Sequence, residues 1–220
     1  PQLDDDLAVV KAIREATGDR LELMVDCNQG WRMPWDTAAP WTVDHAERVA
    51  KVLESHGVYW MEEPLHRGDY AGMTELKKRV GIRLAGGELT REPYEFRELL
   101  TRGCLDVFQP DVVCTQGITG LAKFAREVHE AGKIFTPHTW GNGIGVLGNL
   151  HVTVGTVGAP FIEFPYDPPE WSTARRDYPL ASTIECDDHG WIHLSDEPGL
   201  GITLNEDLLI KTMASQATFS

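Results

Sequence analysis

Short apolar runs alternate with longer amphipathic stretches along most of this chain, and this alternation constrains its fold more than any other feature of the sequence. Runs of this length and composition are typical of strands that a parallel sheet buries on both faces. Six runs predict strands: 21–25, 58–61, 83–85, 105–108, 133–136 and 161–164. The amphipathic stretches predict helices: 4–16, 43–56, 70–78, 92–100, 118–130 and 144–157. The predicted fold class is therefore α/β.

The recurrence of these runs favours a (β/α) barrel of the TIM type over an open sheet, although spacing alone does not separate the two. We expect residues 1–165 to form a partial barrel domain with six strands. After Pro165 the alternation stops, and residues 166–220 predict a C-terminal tail with a small hairpin over 184–194. Because the chain opens with a helix pattern, we expect the first two strands of the barrel to lie outside this sequence.

The acidic composition excludes several classes of partner. Asp and Glu number 34 against 20 Lys and Arg, which gives a formal net charge of −14. Nucleic-acid binding and docking on an anionic membrane both need a basic face, so we expect neither. No apolar run approaches the roughly 20 residues of a membrane span. Four cysteines without a CxxC pair, and no signal-peptide pattern, predict a cytoplasmic protein.

An ionisable side chain follows each predicted strand, at the end of the barrel where catalytic groups lie. These residues are Asp26, Glu62, Glu88, Asp111, His138 and Glu163. Taken singly, each has an ordinary explanation as a turn former, a helix cap or a solvated loop residue. Their shared position at the ends of successive strands favours a functional site.

The chemistry of such a site follows from its residue types. Three carboxylates that converge from adjacent strands repel one another unless a cation neutralises them. Hard oxygen ligands without Cys or His suit Mg²⁺. Asp111 and His138 can form a dyad in which the carboxylate orients the imidazole and raises its basicity, which suits proton abstraction next to a carboxylate group.

The ordered motifs of this chain resemble the enolase superfamily, mandelate racemase subgroup, over essentially its whole length. The motifs are Asp26-x-Asn28, Glu62-Glu63-Pro64, Gly87-Glu88, Gln109-Pro110-Asp111, Pro137-His138, Glu163 and Pro198-Gly-Leu-Gly-Ile. The resemblance implies a (β/α)7β-like barrel with an N-terminal capping domain, toward which the tail would pack back. It also implies that Asp26, Glu62 and Glu88 bind Mg²⁺.

The same resemblance implies roles for the other strand-end residues. Asp111 and His138 would act as general base or acid, and Glu163 would hydrogen-bond the substrate carboxylate and stabilise the enolate. The segments around Trp140 and Glu163 are similar to members that dehydrate sugar acids. Asn28, Trp140 and Asn142 lie beside the motif positions and are candidate substrate-binding residues. A homo-oligomer acting on a small carboxylate, a sugar acid, is the expected assembly and substrate.

The chain departs from the family pattern in one respect. The family carries a Lys-x-Lys pair at the end of the second barrel strand, which would fall before Pro1 in this sequence. Lys11 and the pair Lys77-Lys78 are in predicted helices and do not fit that position. We therefore expect the lysine half of the site and the capping domain to lie outside this sequence.

Three functions remain open from the sequence. The first is a Mg²⁺-dependent sugar-acid dehydratase that yields a 2-keto-3-deoxy acid. The second is a racemase or epimerase of a 2-hydroxy or amino acid with the same metal and dyad. The third is an inactive barrel fragment that only binds a ligand or partner. Product analysis separates the first two, because only dehydration releases a keto acid.

Overall fold

A single parallel sheet is the framework of the chain. The computed structural model describes residues 2–212 of the 220. In that part, five strands are present: β1 (Leu23–Asp26), β2 (Val58–Glu62), β3 (Arg83–Gly86), β4 (Val107–Phe108) and β5 (Ile134–Phe135). Every neighbouring pair is parallel, and the order in space is the order in sequence. The predicted α/β class is confirmed.

Helices connect the strands and continue beyond them. Within the described residues they are α1 (Gln2–Thr17), α2 (Val43–Ser55), α3 (Tyr70–Arg79), α4 (Pro93–Thr101), α5 (Gly117–Glu130), α6 (Gly143–Val154), α7 (Thr173–Arg176) and α8 (Glu206–Thr212). The six predicted helices correspond to α1 to α6. Over residues 2–212, no helix has both the length and the apolar character that crossing a membrane requires.

Side-chain caps fix where the connecting helices begin. Thr42 precedes α2, and its hydroxyl oxygen accepts a hydrogen bond from the His45 N–H at 3.2 Å. Helix α4 begins at Pro93, one residue after the predicted start at 92. The Glu95 carboxylate accepts from the Glu92 N–H at 3.1 Å, and Pro93 takes the first helical position, where its missing N–H costs nothing.

The two faces of the sheet bury different cores. Alternate residues of a strand face opposite sides, so Met61 packs under the helices in the main hydrophobic core while Trp60 faces the concave side. There Trp60 joins Ala85 and Val107, with Phe161 packed against them. The concave face is the interior of the incomplete barrel, and its carboxyl end is where the site residues are expected.

The predicted sixth strand, 161–164, is not part of the described sheet. The Phe161 carbonyl accepts a hydrogen bond from the Thr136 hydroxyl at 2.8 Å instead of a ladder N–H. The Phe161 ring is edge-on to Tyr59, with 5.5 Å between ring centroids, and to Trp60, at 6.1 Å. The strand prediction was wrong because side-chain packing, not strand pairing, covers this apolar run: Phe161 packs on the aromatic rings and Ile162 packs against the Leu147 cluster.

The predicted hairpin over 184–194 is also wrong in part. Its turn exists, since the Gly190 N–H donates to the Asp187 carbonyl at 2.9 Å and Gly190 has a φ of +79°. No paired strands flank it within the described residues. The Asp187 carboxylate accepts from the His189 and Trp191 N–H groups, each at 2.9 Å, so a side chain satisfies groups that a ladder would have used.

A fully buried ion pair anchors the tail to the barrel. Arg176 Nε lies 2.8 Å from Asp177 Oδ1, and neither side chain is exposed. The same guanidinium donates to the carbonyls of Pro165 and Ile184, at 3.2 and 2.6 Å. Around this pair, apolar tail residues pack against Leu147 and Leu150 of α6. How the tail meets a capping domain stays a prediction.

Candidate active site

The ends of β1 and β2 place two carboxylates side by side. Asp26 and Glu62 are the last residues of their strands and are opposite each other in the register. Glu62 is two residues after Trp60, so it faces the same concave side. Trp60 Nε1 donates to Glu62 Oε2 at 3.2 Å, which fixes the direction of that carboxylate.

A glycine turn brings a third carboxylate to the same place. Gly87, after β3, has a φ of +113°, and a Cβ there would lie 3.3 Å from the Phe96 ring. Only glycine adopts this backbone conformation without strain. The next residue, Glu88, is buried and offers an oxygen within 4.8 Å of ligand oxygens of Asp26 and Glu62, which are themselves within that distance of each other. The three carboxylates can hold a metal ion.

Within the described part of the chain, His138 is the cationic side chain beside these three carboxylates, at 3.5 Å from Glu88. No Lys or Arg in residues 2–212 forms an ion pair with Asp26, Glu62 or Glu88. Burial raises the pKa of Glu62 to about 8, and the negative charges of Asp26, Glu163 and Glu88 add to the effect. Burial also raises the pKa of Asp26 and of Glu88. The cluster favours either protons or a bound cation.

Asp111 and His138, which follow β4 and β5, form the predicted pair. His138 Nδ1 is 3.0 Å from Asp111 Oδ2, and its Nε2 is 3.5 Å from Glu88 Oε2 and 4.0 Å from Glu163 Oε2. Burial opposes the charged imidazole. The hydrogen bond to Asp111 and the charges of Glu163, Glu88 and Asp111 outweigh burial and raise the pKa of His138 to about 9.

The pKa of Asp111 moves the other way. Burial would raise it, but hydrogen bonds from His138, the Val113 N–H and Asn149 hold it below its usual range. An ionised Asp111 accepts a hydrogen bond from Nδ1–H of His138, and the other ring nitrogen, Nε2, faces the carboxylates. Glu163 accepts a hydrogen bond from the Thr139 N–H, and burial raises the pKa of Glu163.

One cavity of about 900 Å³ contains all nine predicted site residues in its lining. The Asn28 backbone N–H donates to Asp26 Oδ1 at 2.8 Å. Trp140 is 53% exposed and stacks on Trp171, with 6.0 Å between ring centroids and 14° between planes. The side-chain oxygen Oδ1 of Asn142 caps α6 by accepting a hydrogen bond from the Ile144 N–H at 3.0 Å, a structural role that the sequence did not indicate.

The lysines that the sequence offered do not reach this cavity. Lys77 forms an ion pair with Asp106 at 3.0 Å, and Asp106 precedes β4 at the opposite end of the sheet. Lys11 is exposed and pairs with Glu15 on the surface of α1. The expectation that neither fits the family's lysine position agrees with these locations.

Two buried polar residues lie beside the site without a predicted role: Glu63, which belongs to a predicted motif, and Asn149, which the sequence reasoning missed. Glu63 is 3% exposed with a φ of +44°, and a Cβ on Gly30 would come within 2.1 Å of its carboxylate. Asn149 of α6 is completely buried and donates to Asp111 Oδ1 at 2.9 Å. A lone amide in an apolar, glycine-rich helix was the available signal for Asn149.

Comparison with known proteins identifies the family. Residues 1–208 match the family described as Enolase C-terminal domain-like. The chain belongs to this family. The predicted resemblance to the enolase superfamily is confirmed, and the fold of this family member is the barrel type that the sequence indicated.

Curated relatives and solved structures agree with this assignment. An arabinonate dehydratase of Saccharolobus solfataricus is 29% identical over 205 residues, which are 93% of this chain and 50% of the relative. The crystal structure of a 3,6-anhydro-D-galactonate cycloisomerase from Zobellia galactanivorans has a TM-score of 0.82 and 28% identity, with 95% of this chain and 55% of that chain covered.

A third similarity is to a structure that contains a metal. A racemase from Streptomyces coelicolor with bound magnesium has a TM-score of 0.79 and 27% identity, with 96% of this chain and 52% of that chain covered. The chain spans about half the length of the relatives it matches. Enolase-superfamily enzymes that act on acid sugars are therefore the group to which this site is compared.

Proposed function

We propose that this chain forms the metal-binding and histidine part of an active site that dehydrates a sugar acid. The observation that carries the proposal is the orientation of His138. Its Nδ1 is held by Asp111 at 3.0 Å, and its Nε2 is directed at Glu88 and Glu163 inside the cavity. The similarity to a named arabinonate dehydratase supports a sugar acid as the substrate class.

Asp26, Glu62 and Glu88 would hold Mg²⁺. Their ligand atoms are within 4.8 Å of one another, they supply only hard oxygen donors, and no Lys or Arg of the described residues pairs with them. When bound, Mg²⁺ supplies positive charge that stabilises negative charge developing on the substrate carboxylate. The bound magnesium of the Streptomyces racemase supports this choice of metal.

His138 moves the protons of the reaction. A cation held by the three carboxylates would offset the Glu88 charge that helps to raise the pKa of His138 to about 9, and so would favour the neutral imidazole. The unprotonated Nε2 then takes the proton from carbon 2, and the electron pair of that C–H bond forms a double bond to carbon 3. The hydroxyl on carbon 3 leaves with a proton returned from Nε2, so the overall loss is one water and the product tautomerises to a 2-keto-3-deoxy acid. Asp111 keeps the imidazole in one orientation throughout.

The remaining lining residues bind and orient the substrate. Glu163, whose pKa burial raises, would donate a hydrogen bond to the substrate carboxylate when it carries a proton. Trp140 offers an exposed ring face against which the carbon chain of a sugar acid packs. Asn28 and Asn142 supply polar atoms at the edge of the same cavity for substrate hydroxyls.

A racemase or epimerase is the second candidate, and the similarity to the Streptomyces racemase favours it. Such an enzyme would use the same histidine to exchange the carbon-2 proton without losing a hydroxyl. Release of a keto acid from a sugar acid supports dehydration, whereas proton exchange without a keto acid supports the second candidate.

The test uses the full-length protein with Mg²⁺ and a panel of sugar acids in D2O. His138→Asn is expected to lower keto-acid release and carbon-2 exchange by at least about 100-fold, since a positioned acid–base group contributes that much. Its affinity for Mg²⁺ should be unchanged. His129→Asn, the same substitution at an exposed position in α5, is the matched control. Full exchange in His138→Asn would contradict the assigned role.

A further inference from the structure

We propose that Asn149 is a positioning residue that holds both members of the Asp111–His138 pair in the orientation used for proton transfer. The inference rests on the proposed role of His138. It is argued from one side chain that is completely buried and hydrogen-bonded to two separate strand-end segments.

The Asn149 amide contacts each strand-end segment of the dyad. Its Nδ2 lies 2.9 Å from Asp111 Oδ1, 2.9 Å from the His138 carbonyl oxygen and 3.2 Å from Thr139 Oγ1. Its Oδ1 accepts from the Val112 N–H at 3.0 Å. Two amide protons and one carbonyl oxygen are therefore all used. A buried amide with every group satisfied fixes its neighbours firmly.

The two carboxylate oxygens of Asp111 have different hydrogen-bond partners. Oδ1 accepts from Asn149 Nδ2 and from the Val113 N–H, both at 2.9 Å, and Oδ2 is 3.0 Å from His138 Nδ1. Rotation of the carboxylate would break the bonds to Oδ1, so Oδ2 stays directed at the imidazole. Because Asn149 also holds the His138 backbone, it limits movement of both partners.

Glycines let helix α6 come close enough for these contacts. A Cβ at Gly148 would be 2.9 Å from Val112 Cγ2, and a Cβ at Gly145 would be 3.0 Å from Val113 Cγ2. Both valines directly follow Asp111. Side chains at these two helix positions would push the segment away from α6, and the Asn149 amide would lose its reach. The close approach is thus independent support for the contact.

The arrangement also extends to Glu163. Thr139 Oγ1 lies at the longest of the three hydrogen-bond distances from Asn149 Nδ2, and the Thr139 N–H donates to the Glu163 carboxylate. One side chain of α6 therefore joins the segments after β4 and β5, and reaches the Glu163 segment through Thr139. None of this requires Asn149 to touch a substrate.

The test measures the Nδ1–H proton of His138 by NMR of the full-length protein labelled with ¹⁵N-histidine, and assigns it by its loss in His138→Asn. Asn149→Asp keeps the shape and the acceptor for Val112 but loses the donated bonds. Asn149→Ser is a smaller polar variant that serves if the first does not fold, and thermal melting reports folding. The matched control is Thr153→Val, at a buried position one turn later on α6. The Thr153 hydroxyl donates to the backbone carbonyl of Asn149 and not to its side chain.

We expect the wild-type protein and Thr153→Val to show a hydrogen-bonded, slowly exchanging Nδ1–H proton. A folded Asn149 variant should lose that signal, and its kcat for a sugar acid should fall by about 100-fold with KM little changed. A folded Asn149 variant that keeps the signal and kcat overturns the inference. Equal loss in Thr153→Val also overturns it, since the effect would then be general loosening of α6. Failure of the proposed function is a different result, namely carbon-2 exchange retained in His138→Asn.

Discussion

Partly buried carboxylates at the two ends of the sheet have pKa values that are shifted in opposite directions. At the amino end, Asp106 lies 3.0 Å from the ammonium groups of both Lys77 and Lys133 and accepts the Leu84 N–H at 3.1 Å. Burial would raise the pKa of Asp106, but these partners hold it below its usual range. At the carboxyl end, Glu62 has no such cation in the described residues, and burial raises its pKa to about 8.

This is the difference we expect between a carboxylate that stabilises the fold and one that is proposed to bind a cation. Two lysines pair with a single aspartate at the amino end, whereas no Lys or Arg of the described residues pairs with the three carboxylates proposed to bind Mg²⁺. An uncompensated cluster is unfavourable for the folded state by itself. The comparison therefore predicts that removal of a carboxylate charge raises the free energy of unfolding at the carboxyl end of the sheet and lowers it at the amino end.

The largest expected effect is on metal affinity. Asp26→Asn should weaken Mg²⁺ binding by more than about 100-fold, because loss of a residue that merely orients a metal ligand already costs 10–100-fold. The measurement is the Mg²⁺-dependent rise in Tm, or calorimetric titration. Asp106→Asn, the same substitution at the other end, should leave Mg²⁺ affinity unchanged. Equal weakening in both variants would erase the proposed distinction between the ends.

The next effect is a gain of stability. In the presence of chelator, Glu62→Gln should stabilise the protein by roughly 2 kcal/mol at pH 8, because it removes a carboxyl whose ionisation burial and neighbouring charges disfavour. Since the folded-state pKa is raised, wild-type stability falls as pH rises from the ordinary glutamate range to about 8. Glu62→Gln should lack that slope in chemical denaturation. A loss of stability in metal-free Glu62→Gln would show that the cluster is compensated after all.

The smallest effect has the opposite sign. Asp106→Asn should destabilise the protein by about 1 kcal/mol at neutral pH through loss of two charged partners. Because the folded-state pKa is lowered, this contribution is present above the ordinary aspartate pKa and disappears as pH falls through the folded value. Denaturant midpoints of wild type and variant should therefore converge on acidification. Curves that stay parallel down to low pH would assign the stabilisation to shape rather than to charge.

The strand ends could be predicted from sequence because they obey local rules. Apolar runs gave β1 to β5, and the ionisable residues that follow them do converge on one cavity. Periodicity and parallel topology are enough for that much. The same rules failed at 161–164, where Phe161 packs against the rings of Tyr59 and Trp60 and the run forms no sixth ladder in the described sheet.

The contacts behind the dyad could not be predicted, because they depend on how near one helix comes to one loop. Asn149 is the single amide residue in a helix whose mostly apolar composition indicates burial. Its partners, Asp111 and the His138 carbonyl, are 38 and 11 residues away in the chain. Only the approach of α6 permitted by Gly145 and Gly148 makes the amide part of the site.

The sequential strand order also sets the order in which the site is made during synthesis. In the described sheet each strand pairs with the next one along the chain. The strand that carries each proposed metal ligand can therefore pair with a neighbour that is close in the sequence. Translation delivers Asp26, Glu62 and Glu88 before Asp111 and His138. The three carboxylates therefore leave the ribosome before the histidine does, and the proposed cation site requires no residue later in the chain than Glu88.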